Sequence, residues 1–210
     1  MTPLEAERLE AERQRLHRRL TTTPSQPRDY IQRGMSHFQL GFIAEAIADF
    51  DRAETLDPLL TPYLWQRGLA YYYAGRFEDG LRQFEIDLTV NGQDIEETVW
   101  RYLCQAQLQG TPAARADLRP VHNDPRAFMV RVYQLFAGMC GGSTVIGESQ
   151  RDGRRAQFYS HLYVGLFCEA EHDTEGARHH ITQAAAMQVL EDYMGWLALV
   201  HQHLRGWHRT

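Results

Sequence analysis

The chain has no lysine: all 22 of its positively charged side chains are arginine. Lysine acetylation, ubiquitination and Schiff-base chemistry are therefore excluded from it. Asparagine occurs only at Asn91 and Asn123, and neither begins an Asn-x-Ser/Thr sequon. Cysteine is scarce too. Cys104, Cys140 and Cys168 are widely spaced and odd in number, with no C-x-x-C pair. That pattern builds neither a disulfide framework nor a zinc motif, and it suits a reducing compartment. No apolar run approaches 18 residues, so no membrane span is expected. A net charge of -5 and a pI near 6.0 leave no basic face for nucleic acid. The first residues alternate Glu and Arg, which fits neither a secretory signal nor a transit peptide. The expectation is an intracellular protein, cytoplasmic in the first place, organellar if a presequence has been removed.

What is present is a repeat. Ile31-Gln32-Arg33-Gly34 and Trp65-Gln66-Arg67-Gly68 lie 34 positions apart. Gly41 then maps onto Gly75 and Phe50 onto Phe84, while Tyr30/Leu64, Phe38/Tyr72, Ile47/Leu81 and Leu56/Val90 agree in apolar character. A period of this length signals one helix-turn-helix unit copied along the chain.

The spacing predicts a charged helix over 1–20, with Leu4, Leu9, Leu16 and Leu20 as a thin apolar stripe, then a linker at 21–27. Helical repeats follow over 28–123. In the first, a helix to about Leu40, a turn at Gly41 and a return helix from Ala44 to Thr55 end at Pro58. The second runs from Thr61 to Gly92, with Pro62 in the first turn of a helix and Gly75 at the bend. In the third, Trp65 maps to Trp100 and Gly75 to Gly110, and the second helix is short. Residues 124–210 read as further helices. Asp124-Pro125 opens one to Ala137 as N-cap and first helical residue, and 138–153 is a glycine-rich loop of at most one helical turn. Over 154–187, Gly165, Ala177, Ile181 and Ala184 copy the spacing of Gly34, Ala46, Phe50 and Ala53, which marks a divergent repeat.

Tyr30, Gly34, Ala46, Phe50, Ala53 and Pro58 resemble the pattern of the tetratricopeptide-repeat family, with His37 departing where an aromatic is usual. The second unit agrees at Gly68, Tyr71 and Phe84 and departs at Gly80, Asp87 and Gly92. The chain is also similar to a set of short repeat proteins of this type without assigned activity. It resembles, more distantly, the small superhelical repeat lipoproteins of bacteria, but lacks their lipidated cysteine. The resemblance implies an all-α, right-handed superhelix of antiparallel helix pairs that binds another protein, extended or helical, in its concave groove. On this alignment the groove presents Ile31, Met35, Phe38 and Gln39, then Trp65, Leu69, Tyr72 and Tyr73, then Trp100, Arg101, Cys104 and Gln107. Two readings of these aromatics stand side by side: they anchor an apolar or amphipathic partner, or they pack against neighbouring repeats. The resemblance also implies that the carboxylate clamp of chaperone-binding repeats is missing, since Ile31, Met35, Trp65 and Leu69 stand where that clamp has Lys and Asn.

Arg33 and Arg67 recur beside the repeat glycines, either as ion pairs with Glu45, Asp51, Asp79 or Glu85 or as anion contacts that Arg151, Arg154 and Arg155 extend. Among ten histidines, His161, His179-His180 and His201-x-His203 are the candidates for a metal. Neighbouring and i, i+2 positions on a helix diverge, so no metal site is expected. The loop Gly138-Met139-Cys140-Gly141-Gly142-Ser143-Thr144 fails the phosphate-binding and dinucleotide templates, and Ser143 and Ser160 lack a nucleophile elbow. No enzyme and no cofactor is expected. Two alternatives remain: self-association through the N-terminal helix or Met194, Trp196 and Trp207, and a thiol or redox role for Cys140 if a helix starting near Ser143 lowers its pKa.

Overall fold

The computed structural model describes residues 3–22 and 26–207, and among them every regular element is a helix. The chain divides into two compact units, Met1–Val90 and Asn91–Thr210. The division falls after the second helix pair.

In the first unit α1 (Pro3–Thr22) packs along α2 (Pro27–Gln39), α2 against α3 (Ile43–Leu56), and α4 (Trp65–Tyr73) against both α3 and α5 (Phe77–Asp87). α1 runs on through Thr22 and Pro27 already opens α2, so the expected linker shrinks from both sides. Leu16 and Leu20 are buried, as a cap on the first repeat requires, whereas the Leu4 and Leu9 side chains lie outside the described residues. Gly41 and Gly75 end α2 and α4 with φ of 82° and 72°, the left-handed conformation that glycine reaches without strain. Pro58 opens a 3-10 turn, Pro58–Tyr63, which the Asp57 side chain caps by accepting from the Leu59 N–H at 3.1 Å. Pro62 sits inside that turn, so α4 starts only at Trp65.

The pairs close at one point. A Cβ on Gly34 would stand 2.9 Å from the Phe50 ring, and one on Gly68 would stand 2.6 Å from the Phe84 ring. In the second unit a Cβ on Gly165 of α10 (Gly153–Ala170) would meet Ile181 of α11 (Thr174–Ala186) at 2.8 Å. Gly165, Ala177, Ile181 and Ala184 are all buried, as are Gly34, Ala46, Phe50 and Ala53. The expected divergent repeat therefore packs as the first one does.

The second unit opens with α6 (Ile95–Gln109), which Asp94 caps by accepting from the Glu97 N–H at 2.9 Å, and the short α7 (Thr111–Ala116) folds back on it. α8 (Ala127–Phe136) begins later than Asp124-Pro125 suggests. Asp124 Oδ1 instead accepts from the backbone and guanidinium of Arg126, which takes the N-cap position itself. The glycine-rich stretch holds a two-turn helix, α9 (Gly142–Ser149), where a loop was expected. Val145 is fully buried and Gly142 lies where a Cβ would come 3.0 Å from Val164, so packing on α10 overrides weak helix propensity. α12 (Tyr193–Leu204), capped by Asp192, lies on α11.

Gly68→Ala is expected to destabilise by about 1–3 kcal/mol, because the Phe84 ring cannot yield in a filled interface. Gly147→Ala, with nothing within 4 Å of its Cβ, is expected to stabilise by up to about 1 kcal/mol. Urea denaturation of the two variants checks the contrast.

Candidate functional site

The residues expected to line a groove divide by depth. Leu69, Tyr72, Trp100 and Cys104 are 0–2% exposed, and Arg101 is 7% exposed. These five are interior side chains that hold helices together. Phe38 is fully buried as well. Met35, Gln39, Trp65 and Tyr73 are half-buried and reach solvent from α2 and α4 of the first unit. Their floor is aromatic: Tyr73 meets Phe38 edge-on at 5.7 Å and Tyr72 at 5.5 Å, and Tyr72 meets Phe77 at 5.5 Å. Gln66 Nε2 reaches Met35 Sδ at 4.0 Å, which ties the two helices at the face itself. Edge-to-face rings fix one another, so this surface is pre-formed and does not collapse on itself.

The repeated arginines turn inward. Arg33 makes a two-pronged pair with Asp49, at 2.8 and 2.5 Å, and His37 Nδ1 lies 3.0 Å from the same carboxylate. Arg67 donates to Gln83 at 2.8 Å and spans Asp51 and both oxygens of Glu54 on α3. Arg101 reaches Asp117 at 2.5 Å. In all three pairs the arginine contacts the side chain 16 residues onward: Asp49, Gln83 and Asp117. Of the acids expected to serve them, Asp51 pairs with Arg67, whereas Asp79 pairs with Arg76 and Arg82. Arg154 donates to the carbonyls of Met187 and Gln188 at the end of α11, and Arg155 pairs with Asp192. Arg33, Arg67, Arg154 and Arg155 are thus engaged within the chain.

Two carboxyls missed by the sequence reading are held close to neutrality. Asp87 is fully buried on α5, where α3 and α11 have Ala53 and Ala184. Burial pushes its carboxyl up to about 7 against the opposing Gln83 hydrogen bond of 2.7 Å. Glu96 accepts from the Tyr163 hydroxyl at 2.9 Å and pairs with Arg126, which also holds Asp94 and Asp124. Desolvation takes Glu96 to about 7 in spite of Arg126. The signal in the sequence that could have found this corner is Asp94-x-x-Glu97, a capping pattern at the start of a helix.

A helix does start beside Cys140, at Gly142, yet burial and then the Glu148 charge push that thiol up from its ordinary value. It donates to the Arg131 carbonyl at 3.9 Å and stays a thiol at neutral pH. Of the side chains offered for self-association, Leu16, Leu20 and Met194 are buried within the chain, and Trp196 donates to the Leu190 carbonyl at 3.1 Å. Among the described residues no group of three His, Cys, Asp or Glu side chains is arranged to hold a metal. No described helix is long and apolar enough to cross a membrane.

No protein-family model matches the chain. It is similar to protein SGT1 homolog of Bos taurus, 27% identical over 96 residues, which is 46% of this chain and 28% of that protein. The chain therefore spans less than a third of the length of that relative.

Asp87 holds, in the folded chain, a proton that the unfolded chain releases near its ordinary value of 3.8. Its contribution to stability accordingly falls as pH rises from about 4 towards 7. Asp87→Asn is expected to remove that slope, read as the difference between variant and parent in denaturation midpoints across this window. Arg67→Ala is expected to cost about 2–3 kcal/mol, below the figure for a fully buried pair because Asp51 and Glu54 are partly solvated. Guanidinium titration measures it.

Proposed function

We propose that the chain is a protein-interaction module of tetratricopeptide type, which holds one extended or helical segment of a partner across α2 and α4. The observation that carries this reading is the half-exposed face of Met35, Gln39, Trp65 and Tyr73 laid over a rigid aromatic floor. Met and Trp supply polarizable, adaptable contact, and aromatic anchors at the centre of a patch carry most of an interface's energy. Gln39 offers an amide to the partner's main chain. Arg67 and Arg101 are engaged with their own acids, so orientation falls to Gln39 and the Tyr73 hydroxyl.

Glycine-closed helix pairs at a period of 34 support the repeat assignment, and the partial likeness to SGT1 homolog agrees with a role among protein partners. The raised pKa values of Asp87 and Glu96 follow from burial in helix packing and call for no catalytic role. Three free cysteines suit a reducing cytoplasm.

Trp65→Ala and, separately, Gln39→Arg are expected to weaken capture of the native partner at least tenfold while the helical circular-dichroism spectrum is kept. Full retention of every captured protein by both variants, in a pull-down quantified by mass spectrometry, contradicts the reading.

A further inference from the structure

One cluster lies outside every role described so far. His161 on α10 and His180 on α11 approach with their Nδ1 atoms 3.0 Å apart, and the rings lie 5.1 Å between centroids. Sequence spacing does not bring them together. They are 19 residues apart, on two helices whose separation is fixed by the seating of Gly165 against Ile181. Both side chains are half-buried. The exposed His179 stands edge-on to His180 at 4.9 Å between centroids.

We propose that His161 and His180 form a two-imidazole site for a borderline transition-metal dication of the Zn2+, Ni2+ and Cu2+ class. Imidazole nitrogen is the ligand that this class prefers among uncharged side chains. With each Nδ1 about 2.0–2.1 Å from the ion, a tetrahedral centre holds two nitrogens about 3.3–3.4 Å apart. The observed 3.0 Å comes within a few tenths of an ångström of that separation, a change that slight ring rotation supplies. Two ligands on separate helices of one rigid pair are pre-organised, so ordering them on binding costs little.

The protonation state is already suitable. Desolvation, with the neighbouring His180 charge, lowers His161 to about 4, and desolvation with His179 lowers His180. Both rings are therefore neutral at pH 7. In the metal-free pair one ring must donate its Nδ1 proton to the other's lone pair. On binding, that ring carries its proton on Nε2 instead, so both Nδ1 lone pairs face the ion and no net proton is lost. The remaining coordination positions are left to water or to a partner's side chain, since no third ligand is already in place among the described residues.

The test is titration of the untagged full chain with Zn2+ by calorimetry at pH 7, together with nitrogen-15 spectra of the histidine rings. The expected result is saturation near one equivalent, with the Nδ1 signals of His161 and His180 moving to the coordinated range. His161→Ala and His180→Ala should each weaken binding about tenfold or more, while His122→Ala, at an exposed position, should leave it unchanged. Neither substitution touches the Gly165–Ile181 seat, so helical content should persist in both. Absence of saturable binding overturns the proposal. So does binding that survives both substitutions, or Nδ1 signals that do not move.

Discussion

Everything in this structure rests on how closely two helices can approach. At Gly34 and Gly68 an aromatic ring from the returning helix occupies the space that a Cβ would fill, and at Gly165 an isoleucine does so. A helix pays for an internal glycine in lost propensity, about 1 kcal/mol relative to alanine. Here the return is interhelical contact at a distance that no larger residue allows. That closure buries Ala46, Ala53, Ala177 and Ala184 in the same interfaces. It also fixes the direction in which each first helix presents its other side.

A polar layer accompanies the apolar seat. Arg33, Arg67 and Arg101 follow the 34-residue period, and each binds the residue 16 positions later. The arginine of one helix thus latches onto its partner helix beside the glycine seat in the first two pairs. In the third, Tyr102 follows the arginine and is itself buried, so the latch persists although the seat is lost. The second pair departs from the pattern in chemistry: glutamine replaces aspartate at position 83, and Arg67 turns to Asp51 and Glu54 of the preceding helix. Asp87 then lies buried near this layer with its charge partly suppressed at neutral pH. A repeat that exchanges its own ion pair for one with its neighbour gains a link between hairpins.

Much of the architecture was legible because period, glycine and proline act locally. Helix ends at Gly41 and Gly75, the buried alanines and the divergent repeat at Gly165 all follow from spacing. What failed depended on tertiary contact. α9 forms from a stretch whose glycines argue for a loop, because Val145 finds a buried place against α10. Asp124 does not cap α8, because Arg126 claims its carboxylate. The face was legible only in part. Periodicity assigns residues to a side of a helix but does not say what covers that side, so Leu69, Tyr72, Trp100 and Cys104 went to the interior while Met35, Gln39, Trp65 and Tyr73 did not. His161 and His180 stood among the histidines singled out and set aside, because spacing along one helix does not show an approach that exists only once α10 and α11 pair.

The functional account joins these levels: close seating makes rigid pairs, rigid pairs hold an aromatic floor, and that floor supports a small solvent-facing patch suited to a partner's apolar residues. Site-specific photocrosslinking in the native source addresses this most directly. A photoreactive side chain at position 35 or 73 should yield one discrete adduct, and the same group at Arg52 or Arg82, which are exposed on α3 and α5, should yield none. Equal labelling from all four positions, or adducts from the return helices alone, would contradict the account.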